Sequence, residues 1–183
     1  KIIQVETTLN LTPIKDRPQD RLNKILPNYK YKEFNTGRKI LICPPSNKVM
    51  KFWNQPRQEE WIKIVIKELQ LVTTRPIEVR LKPGRAERIT FNTLAQALQD
   101  DVYCLVTYNS IAAIEALMNG IPAIALGPNA ATTMCNTSLS QIDNLNTYNE
   151  EQMVRYLSHL SYCQFHINEM EDGTAWRILH GGC

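Results

Sequence analysis

A chain of 183 residues with 43% hydrophobic and 21% charged residues has the make-up of a folded domain. Its length holds one domain, or one and a half, but not two full α/β domains. Seven glycines without a period exclude a fibrous repeat, and no apolar run approaches the roughly eighteen residues of a membrane span. The formal net charge of +3 gives no reason to expect nucleic-acid binding, yet it tolerates an anionic small ligand.

Residues 1–38 read as a polar lead-in or linker, or the remnant of an N-terminal domain, broken by Pro13, Pro18 and Pro27. Lys1–Val5 suits a short strand and Pro18–Leu26 a turn or two of helix. Lys1–Thr8 lacks the apolar core of a signal peptide, and a first residue of Lys reads as a fragment or a processed form. From Lys39 the texture changes. Lys39–Pro44 is a continuous apolar run closed by prolines, the mark of a strand buried on both faces. Arg57–Val72 has a helical period, with Trp61, Val65, Leu69 and Val72 on one stripe widened by Ile62 and Ile66. Ile77–Leu81 is a second strand, Thr93–Gln99 a short helix and Val102–Thr107 a third strand.

Asn109 or Ser110 then caps a helix over Ile111–Asn119, with Gly120 just past its end. In that helix Ile111, Ile114 and Met118 are expected to face the sheet. Pro122–Leu126 is a fourth strand, Ala130–Asn146 a polar loop, and Glu150–Leu160 and Asn168–Leu179 two closing helices. Short, non-alternating apolar strands separated by helices predict an α/β fold: a Rossmann-like parallel sheet with helices on both faces, spanning residues 39–183.

Five cysteines stand without a C-x-x-C pair or a histidine at metal-ligand spacing, so they read as reduced thiols in a cytoplasmic setting, with Cys43 and Cys104 in the core. No metal site is expected. His159, His166 and His180 fall at spacings that make neither a metal pair nor a triad. Glu150, Glu151, Glu169, Glu171 and Asp172 read as helix-start carboxylates favoured by the dipole.

An open parallel sheet binds ligands beyond the carboxyl ends of its strands. The candidates there are Ser46 and Lys48 after the first strand, Lys82 and Arg85 after the second, Tyr108, Asn109 and Ser110 after the third, and Gly127 and Asn129 after the fourth. Hydroxyls, amides, glycines and cations of this kind suit a phosphate-bearing ligand, with the amides of a helix start as further donors. Neither G-x-G-x-x-G nor G-x-x-x-x-G-K-[ST] is present, which disfavours a dinucleotide fold and a P-loop.

The segment from Thr107 to Ile124 joins a strand, a polar cap, an alanine-rich helix with one Glu, and Gly120-x-Pro122 before the next strand. It resembles the C-terminal, donor-binding half of GT-B glycosyltransferases, and capsule-type polysaccharide transferases carry similar segments. The stretch from Lys39 to Leu179 is also similar to small glycosyltransferase-like proteins of marine bacteria and their phages. The pieces that carry this are Cys43-Pro44-Pro45-Ser46 with Lys48, Arg80 through Arg85, Thr107-Tyr108-Asn109-Ser110, Gly127 through Ala131, and Ala175 through Leu179.

The resemblance implies a nucleotide-sugar as substrate, no separate cofactor, and Glu115 on the ribose hydroxyls. It implies metal-independent sugar transfer in glycan or polysaccharide synthesis, consistent with the lack of a D-x-D motif. The catalytic residue stays unassigned. A two-domain enzyme of this type needs an acceptor half, and some forty residues before the first strand are too few for one. A partner chain, a second copy or residues outside the sequence would supply it. A non-catalytic phage or assembly module of the same fold, and a sugar-nucleotide epimerase-like enzyme, are the alternatives.

Overall fold

The computed structural model describes residues 2–4, 13–34, 37–83 and 93–180. In chain order its elements begin with β1 (Ile2–Gln4), α1 (Asp20–Ile25), β2 (Lys39–Ile42), α2 (Asn47–Phe52), α3 (Gln58–Val72) and β3 (Ile77–Val79). They continue with α4 (Leu94–Leu98), β4 (Val102–Thr107), α5 (Ala112–Met118) and β5 (Ala123–Ala125). The chain closes with α6 (Glu150–Ser161), β6 (Gln164–His166), α7 (Ile167–Glu171) and α8 (Thr174–Leu179).

The four expected strands form one sheet in the order β3–β2–β4–β5, and every neighbouring pair is parallel. Alternate residues face opposite layers, as the pleat requires. Leu41, Cys43, Leu105, Ala123 and Ala125 share a core with α1, α4, α5 and α6. Ile40, Ile42, Cys104, Val106 and Ile124 share another with α2 and α3. Helices on both faces leave Ile40–Ile42, Val102–Thr107 and Ala123–Ala125 almost no wet side, which is why these runs are apolar, while the edge strand β3 keeps Glu78 exposed. The fold is therefore α/β, with a Rossmann-like parallel sheet.

α3 places Trp61, Val65 and Leu69 against the sheet, with Ile62 and Ile66 flanking, but the stripe stops there: Val72 is exposed. Gly120 takes φ +70° just past α5, as its position suggests. The orientation of α5 differs from expectation. Ile114 is buried as expected and Met118 partly so, but Ile111 is 61% exposed, and Ala113, Ala116 and Leu117 also face inward. Small side chains let the helix sit close over the sheet, so the buried face takes in Ala112, Ala113 and Ala116 beside Ile114 and Leu117, and Ile111 lies at the rim.

Two features are additions. α2 stands where no helix was expected. The closing stretch is also not one helix over Asn168–Leu179: β6 comes first, and α7 and α8 are separated by Gly173 at φ +78°. β6 pairs antiparallel with β1 as a small second sheet. Residues 13–34 pack onto the domain. Leu22 is in the core, and Ile14, Leu26, Tyr29, Tyr31 and Phe34 lie against it. Arg21 is buried and holds Glu169 with both terminal nitrogens, at 2.7 and 3.2 Å, while donating to the carbonyls of Ser161 and Gln164. Glu169, read as a helix-start carboxylate, is thus also half of a buried ion pair, and the Arg21 guanidinium holds its pKa down at about 2. No helix among the described residues is long and apolar enough to cross a membrane.

Candidate functional site

Backbone bonds past the strand ends fix the first layer of the site. The Cys43 N–H donates to Val106 O at 2.8 Å, and the Arg80 N–H to Ile42 O at 2.9 Å. The Thr107 hydroxyl donates to Cys43 O at 2.6 Å, tying the ends of the two central strands. Cys43 and Arg80 thereby inherit the rigidity of the sheet although neither lies within a strand.

A cleft of about 540 Å³ opens on this edge. Ser46, Lys82, Asn109, Ser110 and Glu115, five of the residues expected there, line it together. The cations from the β3 end and the start of α5 thus share one cavity. Arg80, Thr93 and Ile111 line it as well.

The other expected residues have different places. Lys48 is exposed on α2 and does not contribute to the lining. The Tyr108 ring is buried under Gly127, where a Cβ would stand 2.5 Å from the ring, so these two form a packing contact and not a ligand surface. Asn129 is also buried. Its Nδ2 donates to Ser110 O at 2.9 Å and its Oδ1 accepts from the Ala131 N–H at 2.9 Å, so it braces the turn before α5 from the β5 side. Arg85 lies outside the described residues.

The helix-start amides are not available as expected. The Ala112 N–H goes to Ser110 Oγ at 3.2 Å, the Ala113 N–H to Ser110 O, and those of Ile114 and Glu115 to Ile111 O. Ser110 works as a local cap, and the positive character of the cleft rests on side chains. Arg80 offers a planar fork of donors and Lys82 a mobile point charge.

Glu115 is the carboxylate among the described lining residues. Burial raises its pKa and the charge of Arg80 partly offsets that rise. Cys43 lies at the back wall, where burial pushes its thiol up to about 12. It is protonated at neutral pH and is no nucleophile there. No histidine is among the described lining residues, and no group of three His, Cys, Asp or Glu among the described residues is placed to hold a metal ion.

Sequence reasoning missed Arg80 as a site residue because Ile77–Leu81 was read as one strand. With the strand ending at Val79, Arg80 is the first residue past the edge. The signal was the change from the apolar Ile77 and Val79 to a cation at the next position on the opposite phase.

No protein-family model, curated protein or solved structure matches this chain. The reading of the cleft therefore rests on its own chemistry. Among the described lining residues, two cations, hydroxyls, one carboxylate and walls of Pro44, Pro45 and Leu94 suit an elongated ligand with anionic and hydroxylated parts.

Proposed function

We propose that the chain is the nucleotide-sugar-binding half of a GT-B-like glycosyltransferase, acting without a metal in glycan or polysaccharide synthesis. The observation that carries this reading is the single cleft at the strand ends in which Arg80 and Lys82 face the same space as Glu115 and Ser110. In this reading the cations meet the diphosphate and stabilise it as a leaving group, replacing the metal other transferases use. Glu115 accepts from the ribose hydroxyls. The acceptor and the general base belong to a second α/β half supplied by residues outside this sequence, a partner chain or a second copy.

A panel of UDP-, GDP-, CMP- and dTDP-sugars tests this by thermal shift. Binding at a hundredfold excess over Kd stabilises by about 2.7 kcal/mol. That raises the melting temperature by about 5–10 °C in a chain of this size. If every member of the panel leaves the melt unmoved, the reading fails. A non-catalytic module has one observation in its favour: the described lining holds no evident base, with Cys43 protonated and Glu115 the lone carboxylate. Binding without release of nucleoside diphosphate, in the presence of any second half, would decide for that module.

Glu115→Gln is expected to weaken binding of the best nucleotide-sugar by about ten- to a hundredfold, the loss of a charged hydrogen bond, with little change in melting temperature. A carboxylate accepts from two hydroxyls, whereas the amide has one acceptor oxygen. The pH dependence follows from the raised pKa of Glu115. Only the ionised form accepts fully, so affinity falls with decreasing pH, and the fall begins at a higher pH than for an ordinary glutamate. Calorimetry across pH reads this limb, which the Gln variant should lack.

A further inference from the structure

A second groove runs between the segment before α1 and one stripe of α6. Arg17 and Gln19 stand on one side; Glu151, Val154, Arg155 and Ser158, spaced three or four residues apart, stand on the other. Its floor carries two unmet donors. Ser158 is 1% exposed, and neither its hydroxyl oxygen nor the buried Nε of Arg17 has a hydrogen-bond partner among the described residues. Buried polar groups are nearly always paired, so two in one groove point to something that pairs them.

The charges narrow what that is. Arg155 is neutralised by Asp16, and Arg21 by Glu169. The Arg17 guanidinium lies over the Tyr162 ring, 5.0 Å from its centroid, with no carboxylate partner among the described residues. Glu150 and Glu151 also line the groove. Arg17 thus forms no ion pair among the described residues, and the groove lining holds two donors without a partner among them, the Arg17 Nε–H and the Ser158 hydroxyl.

We propose that this floor is a second binding site, for a small oxyanion (a carboxylate or a phosphate group) held by the Arg17 guanidinium and the Ser158 hydroxyl. One such anion accepts from both donors at once and would pair with Arg17. The site does not depend on the reading of the strand-end cleft.

The test is an NMR titration of the whole chain at constant ionic strength, following the Arg17 Nε–H and the α6 amides. One arm uses sodium acetate and the other inorganic phosphate. A saturable shift of these signals is expected in at least one arm, and the tighter arm names the source. Ser158→Ala should weaken that binding about tenfold. Its melting temperature should hold, because the hydroxyl it removes has no partner among the described residues. Lys82→Gln, in the other cleft, should leave the titration as it was. The absence of a saturable shift in both arms overturns the proposal. So does unchanged affinity in Ser158→Ala, which would assign the hydroxyl to an ordered water, and so does a lowered melt of that variant, which would make Ser158 structural.

Discussion

Glu169→Gln is expected to destabilise the fold by about 3 kcal/mol, which lowers the melting temperature by about 6–12 °C. Breaking a buried ion pair costs about 3–5 kcal/mol because the remaining charge stays uncompensated. The lower end applies because Arg21 keeps the carbonyls of Ser161 and Gln164, and the amide oxygen can still accept from the His166 N–H that Glu169 now caps. The double replacement Arg21→Met with Glu169→Leu should recover most of the loss, since no buried charge remains. Thermal melts of the two variants separate charge from shape. A single variant as stable as the parent would show that the pair contributes little.

The same pair sets an acid limb. Its partner Arg21 holds the Glu169 carboxyl at about 2 in the folded chain, against an ordinary glutamate near 4.5 when unfolded. A depressed pKa stabilises the fold above the unfolded value and loses that contribution as pH falls through the folded one. The loss runs between about pH 4.5 and 2 and amounts to about 3 kcal/mol. Denaturant melts over that range should show the slope in the parent and a flatter curve in Glu169→Gln.

Gly120→Ala is the second large effect, about 2–4 kcal/mol. Two costs add. At φ +70° an L side chain is strained, and the new Cβ would stand 2.3 Å from the backbone oxygen of Glu33. That oxygen cannot rotate away, so the strap at 31–34 must shift off the end of α5. Gly173 supplies the control. It has φ +78°, but a Cβ there meets only the terminal NH1 of Arg177 at 3.4 Å. Gly173→Ala should therefore cost only the backbone share, about 1 kcal/mol. Equal losses in the two variants would remove the steric argument.

The sheet was legible because a strand buried on both faces must be apolar at every position, and Ile40–Ile42, Val102–Val106 and Ala123–Ala125 are. The end of α5 was legible because Gly120 fills a position that suits glycine. α2 was not: its single fully buried residue, Met50, gives no period. β6 was hidden too, since three residues whose partner is β1 at the far end of the chain carry no local pattern. Half of the candidate site could be read because position beyond a strand end follows from topology. The remainder depended on which way side chains turn. Tyr108 and Asn129 look like ligand groups in one dimension, yet one packs under a glycine and the other braces a turn.

The central place of β2 bears on how the chain folds. Its two neighbours are β3 and β4, and the hydrogen bond that closes their carboxyl edge joins Thr107 to Cys43 across 64 residues. During synthesis, the segment bearing Ile40 and Ile42 therefore emerges long before the strand that covers one of its edges. Non-local parallel pairing of this kind is slow, because loop closure is paid before contacts form. Until β4 arrives, an apolar strand stands with an open edge, a template for pairing with other chains. The cleft shares part of that timetable: the carbonyl of Cys43 meets the Thr107 hydroxyl, and the turn before α5 comes into register, only once β4 is seated.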